Sequence, residues 1–487
     1  MRWISAALVL IALVLSILQL VRFSRVRAYF PPELRIAGVP VGGLDRQQAA
    51  ERLASAYNLP VILYYNNQPI RLDPGVIDFQ LDLDTMLAAA DVQRTDQEFW
   101  QDFWDYLWGR EAVLDDVPLV SSFSEERLRV FLENEIALRY DQEPVAAQPV
   151  VGTVTFQAGQ AGMNLDIDSS VLLIDNALRS LTQRQVTLPL ERVNPTRPAF
   201  ANLGVLLRQT IDLAEIDNLM VGLYLLDLQS QQEIHFVYRE GENISVKPDV
   251  AFTASSIIKI PIMVSAYRRT DVDRDEESLR LLQNMIDKSA NDAADDLMNR
   301  VIEGNRAPLG VTEDMRTLGL ANTFLAGYFF NGAPLLEVIE TPSNSRTDIN
   351  TDPDRYSQTT TTDIGMLLAD LFQCASTGGG ALTAIYPGEI TQSECQSMIE
   401  RLTRNEIGVL IEAGVPDGTL VAHKHGWVST FGIINTIGDA GIVYTPGGNF
   451  IFVVFLHHPD QLVWDPASRL VADLTRAVYN YYNLPTQ

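Results

Sequence analysis

From Trp3 to Val21 the chain carries no charged side chain, and Leu, Ile, Val and Ala dominate the run. A stretch of roughly 20 apolar residues is enough to cross the hydrocarbon core of a bilayer. The run lacks a small-residue cleavage site of the A-x-A kind, so residues 1–28 are expected to be an uncleaved, single-pass transmembrane anchor. A signal peptide with a less obvious cleavage site is the alternative. Arg2 and the amino terminus flank one end; Arg22, Arg25 and Arg27 flank the other. The positive-inside rule alone would put the bulk of the chain in the cytoplasm. The chemistry legible further along the chain belongs outside the membrane, so an extracytoplasmic location is expected against that rule.

With 487 residues the chain is too long for one core, and two or three domains are expected. The formal net charge of −26 leaves no basic footprint for nucleic acid, so no nucleic-acid partner is expected. Five histidines without ligand spacing give no expectation of a metal, and no motif asks for a cofactor. Outside the cytoplasm Cys374 and Cys395 can form one disulfide; two buried thiols are the alternative.

After Pro31-Pro32, Asp45 with Gln48 three residues on reads as a helix cap, with Ala49, Leu53, Ala54 and Tyr57 along one stripe. Val61–Tyr65 reads as a strand, Asn66-Asn67 as a turn and Ile70–Leu72 as the return strand. Phe79–Asp84 then leads into another helix. The grammar recurs: Ser124 caps a helix, Val151–Phe156 reads as a strand, Met163–Asp166 precedes a helix capped by Asp168, and Val186–Leu190 closes the unit. Residues 33–195 are therefore expected to be a duplicated α+β module. Val193–Pro198 reads as a linker.

Beyond the linker, a helix over 199–214 is followed by strands Val221–Leu228 and Glu233–Arg239. Strands Ala440–Tyr444 and Phe450–Leu456 and a helix over 465–483 close the chain, with helical sequence between. A sheet built from both chain ends around a helical cluster is an α+β architecture, expected over 199–487.

Phe252–Lys259 opens a helix on which Ser256 and Lys259, three apart, share a face. A serine nucleophile needs a base, and a lysine serves if burial lowers its pKa. Ser289-Ala290-Asn291 begins a second helix; its serine can pass a proton to a leaving nitrogen and its asparagine can hold a substrate amide. Lys424-His425-Gly426 sits just before a strand. Its lysine offers positive potential to a carboxylate, and its glycine lets substrate lie against the strand edge.

At these three ordered motifs the chain resembles the serine β-lactamase and penicillin-binding-protein superfamily over roughly residues 200–487. Arg316-x-Leu318-Gly319-Leu320-x-x-Thr323, Thr359–Thr362 with Asp363, and Gly438–Val443 add to the likeness. The resemblance implies an antiparallel sheet with a helical cluster, as in β-lactamases and transpeptidases. It implies that Ser256 is acylated, Lys259 assists, Ser289 shuttles protons, and Asn291 and Lys424 bind substrate. It also implies an oxyanion hole made by the Ser256 and Trp427 backbone N–H groups. Residues 33–195 resemble the peptidoglycan-binding modules that precede many cell-wall enzymes, with a plain spacer as the alternative.

The chain departs from that pattern at Ala290, where class A enzymes carry Asp, at His425, where a hydroxyl is usual, and at Trp427, where a small residue is usual. Glu340, with Asn344 four residues on, has the spacing of the class A deacylation glutamate; an ordinary surface glutamate is the alternative. His423 and His425 alternate on a strand, and two ligands alone make a poor metal site. His457-His458 reads as a solvated strand end. The aromatic run Phe99–Trp108 has helical spacing and is expected between domains or near the membrane surface, with a glycan platform as the sharper reading.

The catalytic set expected is thus Ser256, Lys259, Ser289 and Glu340, with Asn291, Lys424, His425, Gly426 and Trp427 binding substrate. The expected function is acyl transfer through an acyl-enzyme from a β-lactam or a D-Ala-D-Ala-type peptidoglycan peptide. A non-catalytic receptor or scaffold that binds wall peptides or a protein partner is the rival.

Overall fold

A computed structural model describes residues 2–95, 98–110, 114–302, 304–430 and 432–484. The chain divides into two units, Met1–Val145 with Ala161–Pro195, and Ala146–Gln160 with Thr196–Gln487. The division after Pro195 falls inside the expected linker.

The first unit begins with helix Arg2–Val26. Among the described residues, one helix, Ala7–Val26, is long and apolar enough to cross a membrane, with mean hydropathy 2.3; a signal sequence would share that character. Helix Arg46–Tyr57 starts at a complete capping box between Asp45 and Gln48, and buries Ala49, Leu53 and Tyr57. Strands Val61–Tyr65 and Gln68–Leu72 form the expected hairpin. The second half of the expected duplication is built differently. Strand Gln185–Thr187 pairs in parallel with Val61–Tyr65, and one apolar cluster runs from Phe30 to Leu188, so the two halves share a sheet and a core. Of the expected strand Val151–Phe156, residues 151–155 are a turn. It joins the short strands Gln148–Pro149 and Phe156–Gln157, and Thr153 closes it by donating to the Val150 carbonyl. Its Phe156 packs with Tyr481 in the second unit's core. Asp166, not Asp168, caps helix Ile167–Leu178, accepting from the Ser169 amide; Asp168 instead pairs with Arg129 at 2.7 Å.

The second unit is centred on a six-stranded sheet. Its order is Glu242–Ile244, Glu233–Arg239, Met220–Asp227, Phe450–His457, Ile433–Tyr444 and Leu420–Thr430, every neighbouring pair antiparallel. Alternation along the strands feeds two cores. Met220, Tyr224, Ile451, Val453 and Phe455 face the helical cluster of the middle sequence. Val221, Leu223, Leu225, Phe452 and Val454 face helices Phe200–Leu213 and Trp464–Tyr482. The expected strand Ala440–Tyr444 is the second half of one long strand, Ile433–Tyr444; Phe431, just ahead of it, lies outside the described residues. The Lys424-His425-Gly426 motif lies within strand Leu420–Thr430 rather than ahead of a strand.

Two further details bear on the expectations. Cys374 and Cys395 form a disulfide between helices Thr361–Thr377 and Gln392–Leu402. His457 is a buried residue of its strand, not a solvated end: the register carries on to it, and its Nδ1 lies 3.1 Å from Thr436 Oγ1.

Candidate active site

Strand Phe252–Thr253 enters a turn at Ser255, whose φ of +51° is left-handed. Ser255–Ile258 is then a 3-10 turn leading into helix Lys259–Tyr267. Residues three apart eclipse in a 3-10 turn, so Ser256 and Lys259 lie one above the other. Lys259 Nζ is 3.1 Å from Ser256 Oγ. Ser256 is half-buried, whereas Lys259 is fully buried.

The second motif supplies the other partners of that amine. Ser289 also has a left-handed backbone, φ +56°, one residue ahead of the cap of helix Asn291–Val301. That conformation brings both of its oxygens to Lys259, its carbonyl at 2.6 Å and its Oγ at 3.3 Å from Nζ. Asn291 Oδ1 completes the set at 2.7 Å. Burial, helped by the nearby charge of Lys424, pushes the Lys259 pKa down to about 7. A neutral amine has two protons and one lone pair. With its protons given to the Ser289 carbonyl and Asn291 Oδ1, its lone pair is left for the Ser256 hydroxyl.

The third motif is split by strand alternation. Lys424 and Gly426 lie on the sheet face that meets the Ser256 turn; His423, His425 and Trp427 lie on the other. A Cβ at Gly426 would stand 2.5 Å from the Ser256 backbone nitrogen and 2.9 Å from Ser255 Cβ, so only glycine lets the strand reach the Ser256 amide. Lys424 is buried, donates to the His425 carbonyl at 3.1 Å, and has its pKa pushed down by burial to about 8.

On the far face His425 stacks on Trp427 at 5.2 Å, and Trp427 meets Trp464 edge-on at 4.7 Å. His425 Nδ1 lies 2.8 Å from the Asn405 side-chain amide, and burial pushes its pKa down to about 4. The imidazole is therefore neutral at pH 7 and built into an aromatic ladder, away from the place where a substrate carboxylate would meet Lys424. His425 and Trp427 reach the Ser256 side of the sheet through backbone alone. In the same ladder His423 Nδ1 lies 3.0 Å from buried Asp439 Oδ1. Potential metal-ligand atoms of His423, His425 and Asp439 lie within 4.8 Å of one another. The Asn405 amide stands between the two rings, 3.2 Å from His423 Nε2. Three ring nitrogens, His423 Nδ1 and Nε2 and His425 Nδ1, are thus in hydrogen-bond contact with Asp439 and Asn405, which ties the cluster to the strand.

Glu340 is exposed and hydrogen-bonds to none of the site residues among those described. The Asn344 side chain closes its own loop, accepting from the Thr341 amide and donating to the Ile339 carbonyl and Gln358 Oε1. That leaves Asn344 without the role of orienting Glu340. Two residues join the site that sequence reasoning missed. The Phe329 ring lies 5.4 Å from Lys259 Nζ, and Asp295 holds that segment by accepting from the Phe329 and Phe330 amides at 2.9 and 3.0 Å. Asp295 is four residues after Asn291 on the same helix, a spacing that could have flagged it.

Residues 277–482 match the model of the family described as the β-lactamase enzyme family. The matched span holds Ser289, Asn291 and Lys424–Trp427 but begins after Ser256 and Lys259. Among solved structures, the chain is similar to a PBP-A mutant as its acyl-enzyme with penicillin G, at 20% identity over 59% of this chain and 99% of that one, TM-score 0.42. It is similar to a β-lactamase from Sphaerobacter thermophilus at 17% identity over 57% and 97%, TM-score 0.41. The TLA-1 extended-spectrum β-lactamase gives 15% identity over 58% and 99%, TM-score 0.42. No curated protein matches. On the family match, the second unit of this chain carries a β-lactamase-like domain.

Proposed function

We propose that the second unit is an extracytoplasmic serine acyl-transfer enzyme that opens a β-lactam or a D-Ala-D-Ala-type peptide through an acyl-enzyme on Ser256. The observation that carries this reading is the buried Lys259 amine, pKa about 7, placed 3.1 Å from Ser256 Oγ and 3.3 Å from Ser289 Oγ. Neutral Lys259 takes the Ser256 proton as Oγ attacks the carbonyl carbon. The Ser256 and Trp427 amides receive the oxyanion. Ser289 hands a proton to the departing nitrogen and is resupplied by the Lys259 ammonium, while Lys424 draws in the substrate carboxylate.

Hydrolysis of the ester then needs a base that activates water. The exposure of Glu340, and the engagement of Asn344 elsewhere, support a slow release and a long-lived adduct. The name of the matched family supports a β-lactam as a ligand. For the first unit we propose a membrane-anchored, wall-facing module, supported by its strand, turn and helix grammar and by its apolar N-terminal helix. A fluorescent penicillin should label the full chain, and the label should outlast many minutes of chase. Rapid multiple turnover of a chromogenic cephalosporin, stopped by Glu340→Gln, would replace this reading with that of a true β-lactamase. Absence of any adduct would favour the non-catalytic receptor.

A further inference from the structure

Helix Phe99–Leu107 of the first unit has two aromatic faces. Phe99, Phe103 and Tyr106 surround Phe23 of the N-terminal helix, with ring centroids at 5.4, 5.5 and 5.3 Å. Arg27 reinforces the joint: it pairs with Asp102 at 3.1 Å and lies 5.2 Å over the Phe99 ring. Phe23 is buried there, although most of its own helix is exposed. The adjoining face carries Trp100, Trp104, Leu107 and the C-cap Trp108, a stripe at helical spacing, with Trp100 edge-on to Phe99 at 5.3 Å where the two faces meet. The three tryptophans are 62%, 58% and 72% exposed.

Where this stripe lies decides what covers it. Phe23 lies just beyond Val21, where the uncharged run ends, and just before Val26, where the apolar helix ends, which places the joint at the edge of the span. The helix therefore meets the span at its boundary with water. Tryptophan favours that zone because its indole is apolar over most of its surface and donates one hydrogen bond. Exposed Arg22 and Arg25 beside the joint suit anionic headgroups.

We propose that helix Phe99–Leu107 is an interfacial anchor whose Trp100, Trp104, Leu107 and Trp108 face enters the headgroup region of the bilayer crossed by Ala7–Val26. The inference rests on reading Ala7–Val26 as an uncleaved span. A helix lying in the interface and locked to a spanning helix gives the first unit a second point of attachment, fixing its depth and limiting rotation about the span.

The test uses the full chain in liposomes of phosphatidylcholine and phosphatidylglycerol. Both native cysteines are tied in a disulfide, so a nitroxide can be placed at one introduced cysteine at a time. Three variants suffice: Trp104→Cys, Val14→Cys within the span and Val130→Cys on an exposed helix of the first unit. Power-saturation measurements should place the label at 104 below the lipid phosphates, by about 5–10 Å. The label at 14 should be deeper and that at 130 in water. A label at 104 in water while that at 14 is deep would overturn the anchor and keep the span, leaving the stripe to a protein or glycan. An intact mass lacking the residues before Phe30 would overturn both.

Discussion

The two faces of strand Leu420–Thr430 do different work from adjacent residues. One face presents Lys424 and Gly426 to the Ser256 turn; the other carries His423, His425 and Trp427 into a ladder tied by Asn405, Asp439 and Trp464. On the first face burial lowers the pKa of Lys259 to about 7 and that of Lys424 to about 8, and the nearby carboxylates of Asp295 and Asp439 offset it only in part. On the second face burial lowers the pKa of His423 too, but the carboxylates of Asp439 and Glu412 outweigh it and raise the value to about 9. The comparison teaches that a three-residue motif on a strand is not one chemical unit. Its first and third residues face the Ser256 turn, and its middle residue faces Asn405 on the other side.

The sharpest way to break this division is to remove the base. Lys259→Met should lower the acylation rate by about 10²–10⁴, the usual worth of a positioned general base. In the unaltered protein acylation should rise with pH to about 7 as Lys259 loses its proton, and fall above about 8 as Lys424 loses its charge. Stopped-flow acylation across pH 5–10 checks both limbs (an assay range chosen to span both values). In Lys259→Met the rising limb should vanish. A profile that stays flat through 7 would show that Lys259 is not the base.

Gly426→Ala comes next. Its Cβ would stand 2.5 Å from the Ser256 nitrogen, so strand and turn must part. If that nitrogen receives the oxyanion, acylation should fall by about 10²–10³ with the far-face ladder intact. Near-UV circular dichroism of Trp427 and Trp464 reports on the ladder. Wild-type acylation in this variant would remove the Ser256 amide from the mechanism.

The smallest effect on chemistry is expected from the far face. His425→Phe keeps the stack but removes the shorter of the two ring-nitrogen contacts of the Asn405 amide, at a stability loss of about 1–3 kcal/mol. Acylation should stay within about threefold, because the ring does not touch the reacting atoms. A loss as large as that of Gly426→Ala would restore the imidazole to substrate binding.

What the sequence disclosed follows the range of the interactions involved. Ser256 and Lys259 are related by one turn, Asp45 and Gln48 by one cap, and the alternating strands by one pleat, so each is legible locally. Ser289 and Asn291 were legible as a motif, yet their convergence on a single amine depends on the left-handed backbone at Ser289. Phe329 was not legible, because Asp295 delivers it from a distant loop. The turn at 151–155 reads as a strand because Val151, Val154 and Phe156 are apolar; what decides it is a partner hundreds of residues away, the Asn480 amide donating to the Val154 carbonyl. Glu340 and Asn344 have the right spacing, but spacing does not specify that Asn344 will turn to Gln358.

The central claim is that the reacting atom is Ser256 Oγ, and locating an acyl group tests it most directly. Ser255 is the nearest competitor, with a buried hydroxyl that has no hydrogen-bond partner among the described residues. The full chain should be treated with penicillin G, digested, and the modified residue assigned by fragment-ion mass. The account predicts one adduct on Ser256, retained in Ser255→Ala and absent from Ser256→Ala. An adduct on Ser255, or one that persists in Ser256→Ala, would contradict it.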